Sequence, residues 1–298
     1  MLRRPLVDAG RTIRIAGEHE DHYDPDFFIY NDVHVDDGAG GVEIYGYGYD
    51  AFEPTDFHSA TLVGDDVYLL GSLGYPARRR PGTTPVVRLD TRTLAIHPVR
   101  TEGAPPGWIS RHAAELSPDG GAVVVSGGKV EALRDGAHVY VDSPDDWSLD
   151  LGTMRWSRLT DRRWEQWELR RADGGTSVLF DLDMAYRYGN DDTDFGRRQL
   201  ARLGGAERVR ANRAVHAARY SPPVAHEALP DEEGVPLVVR RVVDGVVVRY
   251  VEDSFAVHVV FEGILPVDLV AAIVADACAK LVALEGAPYT SRRVATSS

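Results

Sequence analysis

The chain of 298 residues is short of several things, and each shortage excludes a class of protein. It holds one cysteine, Cys278, so neither a disulfide framework nor a cysteine-built metal site can form within one copy. No apolar run approaches the roughly 18 residues that a membrane helix needs. The opening stretch MLRRPLVDAGRTIRI has arginines but no apolar core, so no secretory signal is expected there. Lysine is limited to Lys129 and Lys280, which reads as coding bias, not chemistry. Phosphate-loop, nucleophile-elbow, Rossmann, EF-hand and His-Glu-x-x-His patterns are all missing. No cofactor and no metal are expected, and a cytoplasmic protein of bacterial type is the default.

Acid is what the chain has in excess. Of the net charge of −13, residues 1–66 supply −11, with 4 basic against 15 acidic groups. Such a front end repels phosphate backbones and suits a basic protein partner. Residues 197–220 are the opposite, with seven arginines against Glu207, a net of +6. Those arginines leave RNA binding as a minor alternative, although nucleic acid is not the expected partner.

A repeat runs through the first half. YNDVHVDD from Tyr30, PVVRLDTRTLAI from Pro85 and DDWSLDLGTMRW from Asp145 each carry two alternating apolar residues into an aspartate: Asp36, Asp90 and Asp150. Each reads as a strand, a turn opened by the aspartate, and a second strand containing Ile44, Ile96 or Trp156. Asp36 to His58 and Asp90 to His112 are both 22 residues. A strand pair ending in glycine follows each histidine, at Gly71-Ser72 and at Gly127-Gly128.

The order histidine, hairpin, Gly127-Gly128, apolar-x-apolar-Asp150, Trp156 resembles the kelch repeat over about residues 29–160. The earlier copy departs from it at Gly71-Ser72 and at Ile96. The resemblance implies four-stranded propeller blades, here some two and a half of them. Closed propellers use four to eight. A partial or diverged propeller is therefore expected, with WEQWELRR from Trp164 and TSVLFDLDMAYRYG from Thr176 as candidate further strands. Open sheet edges would invite a second copy of the chain.

Beyond Gly189 two short helices are expected, capped at Asp194 and broken at Gly204-Gly205. LVVRRVVDGVVVRYV reads as a hairpin on Asp244-Gly245, and FAVHVVFEG as a half-buried strand with Phe255, Val257, Val259 and Phe261 on one face. A helix with Val270, Ile273, Val274, Ala277, Leu281 and Leu284 in one stripe ends at Gly286.

Candidate chemistry is sparse. His58 and His112 at one repeat position read as structural, together with Asp90, Asp150, Gly127, Gly128 and Trp156. EHEDHYDPD, with His19 and His22, lacks any known ligand spacing and reads as a solvated acidic loop. Arg78, Arg79 and Arg80 in one blade loop, with Trp108 and Arg111 in the next, have the composition of a protein contact site. The kelch enzymes that use copper or iron need a cysteine–tyrosine link or a Glu-x3-Asp-x3-His pattern, and neither is present.

The fold class is mainly β with a smaller α+β part: kelch-like four-stranded blades, then a three-stranded antiparallel sheet with one packed helix. Residues 1–28 form an acidic segment, 29–188 the propeller-type domain, and 189–298 the basic helices, linker and α+β domain. The function read from this is a non-catalytic protein–protein interaction module of adaptor or immunity-inhibitor type. The alternative is a hydrolase, lyase or isomerase with a histidine–carboxylate site on the loop face.

Overall fold

The computed structural model describes residues 6–8, 10–21, 24–134, 137–188, 193–230 and 238–294. The described residues divide into two compact units, one ending at Asp161 and one running from Arg162 to Val294. It is mainly β, with five antiparallel sheets and few helices among the described residues. The division falls at Asp161, not at the expected 188, and residues 1–28 are no separate segment, since strand pairing begins at Leu6.

Unit 1 contains three consecutive four-stranded meanders. The first is β1 (Leu6–Asp8), β2 (Arg11–Asp21), β3 (Asp24–Asp36) and β4 (Val42–Gly46). The second is β5 (Ser59–Val63), β6 (Asp66–Leu70), β7 (Val86–Asp90) and β8 (Ile96–Pro98). After β9 (Trp108–Ser110) come β10 (Ala113–Leu116), β11 (Ala122–Ser126), β12 (Lys129–Arg134), β13 (Ala137–Asp142), β14 (Trp147–Asp150) and β15 (Arg155–Arg158). The third meander takes β10, β11, β14 and β15, while the β12–β13 hairpin leaves it and pairs with β9.

The turns explain the repeat. Asp36 Oδ1 accepts the Gly38 N–H at 2.9 Å, Asp90 Oδ1 accepts those of Arg92 and Thr93, and Asp150 Oδ1 those of Gly152 and Thr153. A short carboxylate satisfies the N–H groups of a tight turn, which is why aspartate recurs there. The match extends to backbone angles: Leu94 and Met154, each four residues beyond its aspartate, have φ of 58° and 51°. Ile96 pairs with Leu89, and Trp156 with Leu149, both buried. Ile44 departs, since it pairs with His34 on the outward face and is 64% exposed; Tyr45, opposite Val33, faces the core instead.

Packing follows from the two-residue strand period. Four consecutive residues of β6 are buried because its sheet is covered on both faces. Val67 and Leu69 meet Ile13, Ile15, Val33 and Val35 of the first sheet. Tyr68 and Leu70 meet Val123, Val125, Leu149 and Trp156 of the third. Each such side chain contributes about 1.5–3 kcal/mol by leaving water.

Unit 2 is a six-stranded antiparallel sheet with helices. Its elements are β16 (Glu165–Arg171), α1 (Leu179–Tyr188), α2 (Asp194–Arg202), α3 (Ala206–Ala217), β17 (Glu227–Ala228), β18 (Val238–Val243), β19 (Val246–Glu252), β20 (Ala256–Phe261), α4 (Val267–Glu285) and β21 (Tyr289–Val294). The strand order is β17-β18-β19-β20-β16-β21. The expected three-stranded sheet is thus the β18–β20 part of a larger one. Asp244 and Gly245 both have positive φ, as a two-residue hairpin requires, and Gly286 ends α4 in the left-handed conformation. The α4 stripe is buried as expected.

Four expectations give way to the structure. WEQWELRR adds no blade, because β16 pairs with β20 and β21. Residues 179–188 are helical, since Leu179, Leu182 and Ala185 recur at helical spacing and are buried together. The α2 cap is Thr193, whose hydroxyl accepts the Gly196 N–H, with Asp194 in the first turn. Phe255 lies outside β20 and is 54% exposed, while β20, flanked by β19 and β16, is buried on both faces.

Candidate functional site

Unit 1 carries a groove of about 380 Å³ built from the connections that leave the sheets. One wall is residues 49–55, which follow β4; the other is the stretch from Gly71 to Val87, closed by Pro98, Val99 and Trp108. Phe52, Leu69, Val86 and Trp108 make it apolar, and Asp50, Glu53, Arg78 and Arg80 stand around it. Glu53 bridges Arg80 at 3.1 Å and Arg78 at 3.7 Å, and the Arg78 guanidinium lies 5.3 Å from the Tyr49 ring centre. The hydroxyl of Ser72 lines the groove, is buried, and has no hydrogen-bond partner among the described residues.

The loops behind the groove are fixed by buried polar groups. Asp56 is 1% exposed; its Oδ1 accepts the Gly74 N–H at 2.6 Å, and burial pushes its carboxyl above the usual range. Arg79 donates through Nε and Nη2 to the Gly74 carbonyl and reaches Glu131 Oε2 at 3.4 Å. It also lies over Tyr140, 5.5 Å from the ring centre. Glu131 is itself buried on β12, opposite Trp108 and Tyr140, and its other oxygen accepts from His138 Nδ1. Trp108 donates its indole N–H to Leu73 O at 3.1 Å.

The five sequence candidates therefore divide. Arg78 and Arg80 line the groove and reach solvent. Arg79 and Trp108 face inward and hold the loops. Arg111 stacks on Phe57 at 3.7 Å. Tyr49, Glu53, Asp56, Ser72, Glu131 and His138 were not singled out, because nothing local in sequence marks side chains that converge from separate loops.

His58 and His112 sit at the same place, each one residue before the first strand of its sheet and each after a residue with positive φ, Phe57 at 47° and Arg111 at 59°. Burial lowers both imidazoles to about 4, and the neighbouring His112 adds to this for His58. The glycines belong to the same packing. A Cβ on Gly71 would lie 2.3 Å from Ile109 O, and one on Gly128 would lie 2.6 Å from Ser110 O.

In unit 2, Asp183 takes Arg219 at 3.2 Å and stands 3.1 Å from His216 Nε2, while Arg219 Nε donates to Glu252 at 2.8 Å. The other His216 nitrogen is 3.2 Å from Arg219, whereas Nε2, though near Asp183, is buried without a hydrogen bond among the described residues. This cluster ties α1, the end of α3 and β19 together. Among the described residues no group of three or more histidine, cysteine or acidic side chains could hold a metal. His22 and the side chains of Asp21, Asp24 and Asp26 lie outside the described residues. No helix among those residues is long and apolar enough to cross a membrane.

No family model matches this chain. No curated protein matches it either. Among solved structures, YjhT is 14% identical with a TM-score of 0.37, over 53% of this chain and 49% of its own. The chain thus spans about half the length of that protein. An endo-arabinase from Bacteroides thetaiotaomicron VPI-5482 is 10% identical with a TM-score of 0.27, over 90% of this chain and 95% of its own. Similarity this low carries no argument about function, which has to rest on the geometry of the groove and its loops.

Proposed function

We propose that unit 1 is a partial, kelch-like propeller of three blades acting as a non-catalytic protein–protein interaction module, of adaptor or immunity-inhibitor type, in the cytoplasm. The observation that carries this is the loop-built groove with apolar walls and charges of both signs around it. A partner side chain entering it leaves water against Phe52, Val86 and Trp108, while Tyr49, Arg78 and Arg80 meet the surface around that anchor. Arg79, Asp56 and Glu131 support the site by holding its loops in one conformation, which lowers the ordering cost of binding. The acid excess of residues 1–66 favours a partner with a basic face and speeds its approach at low salt. Affinity capture from the source cells, with wild type and with Tyr49→Ala/Arg80→Glu, tests this reading. A protein held by wild type should bind the purified variant at least about tenfold more weakly, an effect of the size expected for a contact residue. Equal binding removes the groove from the interface.

A second reading has its own observation. The buried Glu131 carboxylate accepts from His138 Nδ1, and the His138 side chain is 51% exposed, so its Nε2 is the free nitrogen. A carboxylate that fixes the tautomer prepares an imidazole to accept a proton, the form a hydrolase, lyase or isomerase site would take. Diethylpyrocarbonate should then acylate His138 faster than the exposed His97, and the excess should vanish in Glu131→Gln. Equal rates in wild type remove this reading.

A further inference from the structure

Strand β4 ends the first sheet, and no described strand pairs with its outer edge. Its Val42 and Ile44 are 56% and 64% exposed. An exposed β-branched edge is a template for pairing unless its surroundings forbid it. Here Asp37, Glu43 and Asp50 surround it, exposed and without an ion pair to a described residue. Carboxylates of one sign keep two such edges apart and leave a basic surface as the face that fits. The same chain has one. Arg198 and Arg202, one turn apart on α2, and Arg210 on α3 are exposed and likewise make no ion pair with a described residue.

We propose that these two surfaces are partners between copies: the β4 face of one chain docks the α2–α3 arginines of a second. The contact is head-to-tail, so it can continue from copy to copy or close into a ring. It shares Asp50 with the rim of the groove but needs no groove occupant, and the mass of the purified chain tests it separately from the interaction-module function. RNA is disfavoured as the arginines' partner by the chain's net charge of −13.

Sedimentation velocity tests the proposal, in about 50 mM and about 500 mM salt, where charge interactions are respectively long-ranged and largely screened. Wild type should show a mass above that of one chain, rising with concentration in low salt and falling to one chain in high salt. R198E/R202E/R210E and, separately, E43K/D50K should each stay at single-chain mass in low salt, with unchanged circular dichroism. Mixing the two variants should restore association, because reversed charges then face each other. Wild type of single-chain mass in low salt overturns the proposal. So does an arginine variant that loses melting temperature without any change of mass, which would place the contact inside one chain. Co-purifying RNA that is lost in that variant, without a change in protein mass after nuclease, overturns it as well.

Discussion

His112 Nε2 stands 2.9 Å from Ser59 Oγ, so the residue that opens the third sheet is held by the first residue of β5 in the second. The charge of His112 also disfavours protonation of His58, its counterpart in the second sheet. A repeat position thus serves as a joint between neighbouring sheets.

That joint makes stability depend on pH. Both histidines have folded values of about 4, below the usual 6.5, so the unfolded chain binds the extra protons between those two values. Stability is complete above about pH 6.5 and falls as the pH drops toward 4, by about 1.4 kcal/mol per pH unit for each histidine. Urea unfolding at pH 7, 6 and 5 should show this decline, and His58→Gln/His112→Gln should flatten it. An unchanged slope in that variant would show that other groups cause it.

Glycine substitutions should separate strain from collision. Gly127 and Gly128 both have positive φ, yet a Cβ on Gly127 meets nothing within 4 Å while one on Gly128 meets Ser110 O at 2.6 Å. Gly127→Ala should cost about 1 kcal/mol, from the backbone alone. Gly128→Ala should cost clearly more, since backbone or His112 must also move. Equal denaturation midpoints would contradict this.

The doubly covered second sheet predicts a contrast between two apolar residues. Leu70→Ala should destabilise by about 2–5 kcal/mol, because the cavity lies between packed sheets. Ile44→Ala should stay within about 0.5 kcal/mol, because the side chain already faces water. Thermal unfolding of the two variants checks both.

Removing Arg79 should strand the buried Glu131 carboxylate, leaving the His138 Nδ1–H as its remaining side-chain partner. Arg79→Ala is expected to cost about 3–5 kcal/mol, and Arg79→Met/Glu131→Leu to recover a large part of it, since no unpaired buried charge then remains. A double variant no more stable than the single one would mean that Arg79 acts through its Gly74 bonds alone.

Local chemistry determined much of this protein from sequence. Aspartate at 36, 90 and 150 opens turns wherever it sits, the strand period sets which residues face a neighbour, and Asp244-Gly245 and Gly286 dictate their own backbone angles. The α4 stripe is legible for the same reason, because helical spacing alone puts those six residues on one face. Tertiary structure decided the rest. β16 has the same alternation whether it joins a blade or unit 2, and only its pairing with β20 and β21 makes the choice. Residues 180–184 alternate apolar and acidic like a strand, yet burial of Leu179 and Leu182 in the unit 2 core selects the helix. The groove was illegible because Tyr49, the connection that carries Ser72 and Arg80, and Trp108 come from three separate segments of the chain. Arg79 reads in sequence like its two neighbours, and the buried Glu131, 52 residues away, is what turns it inward.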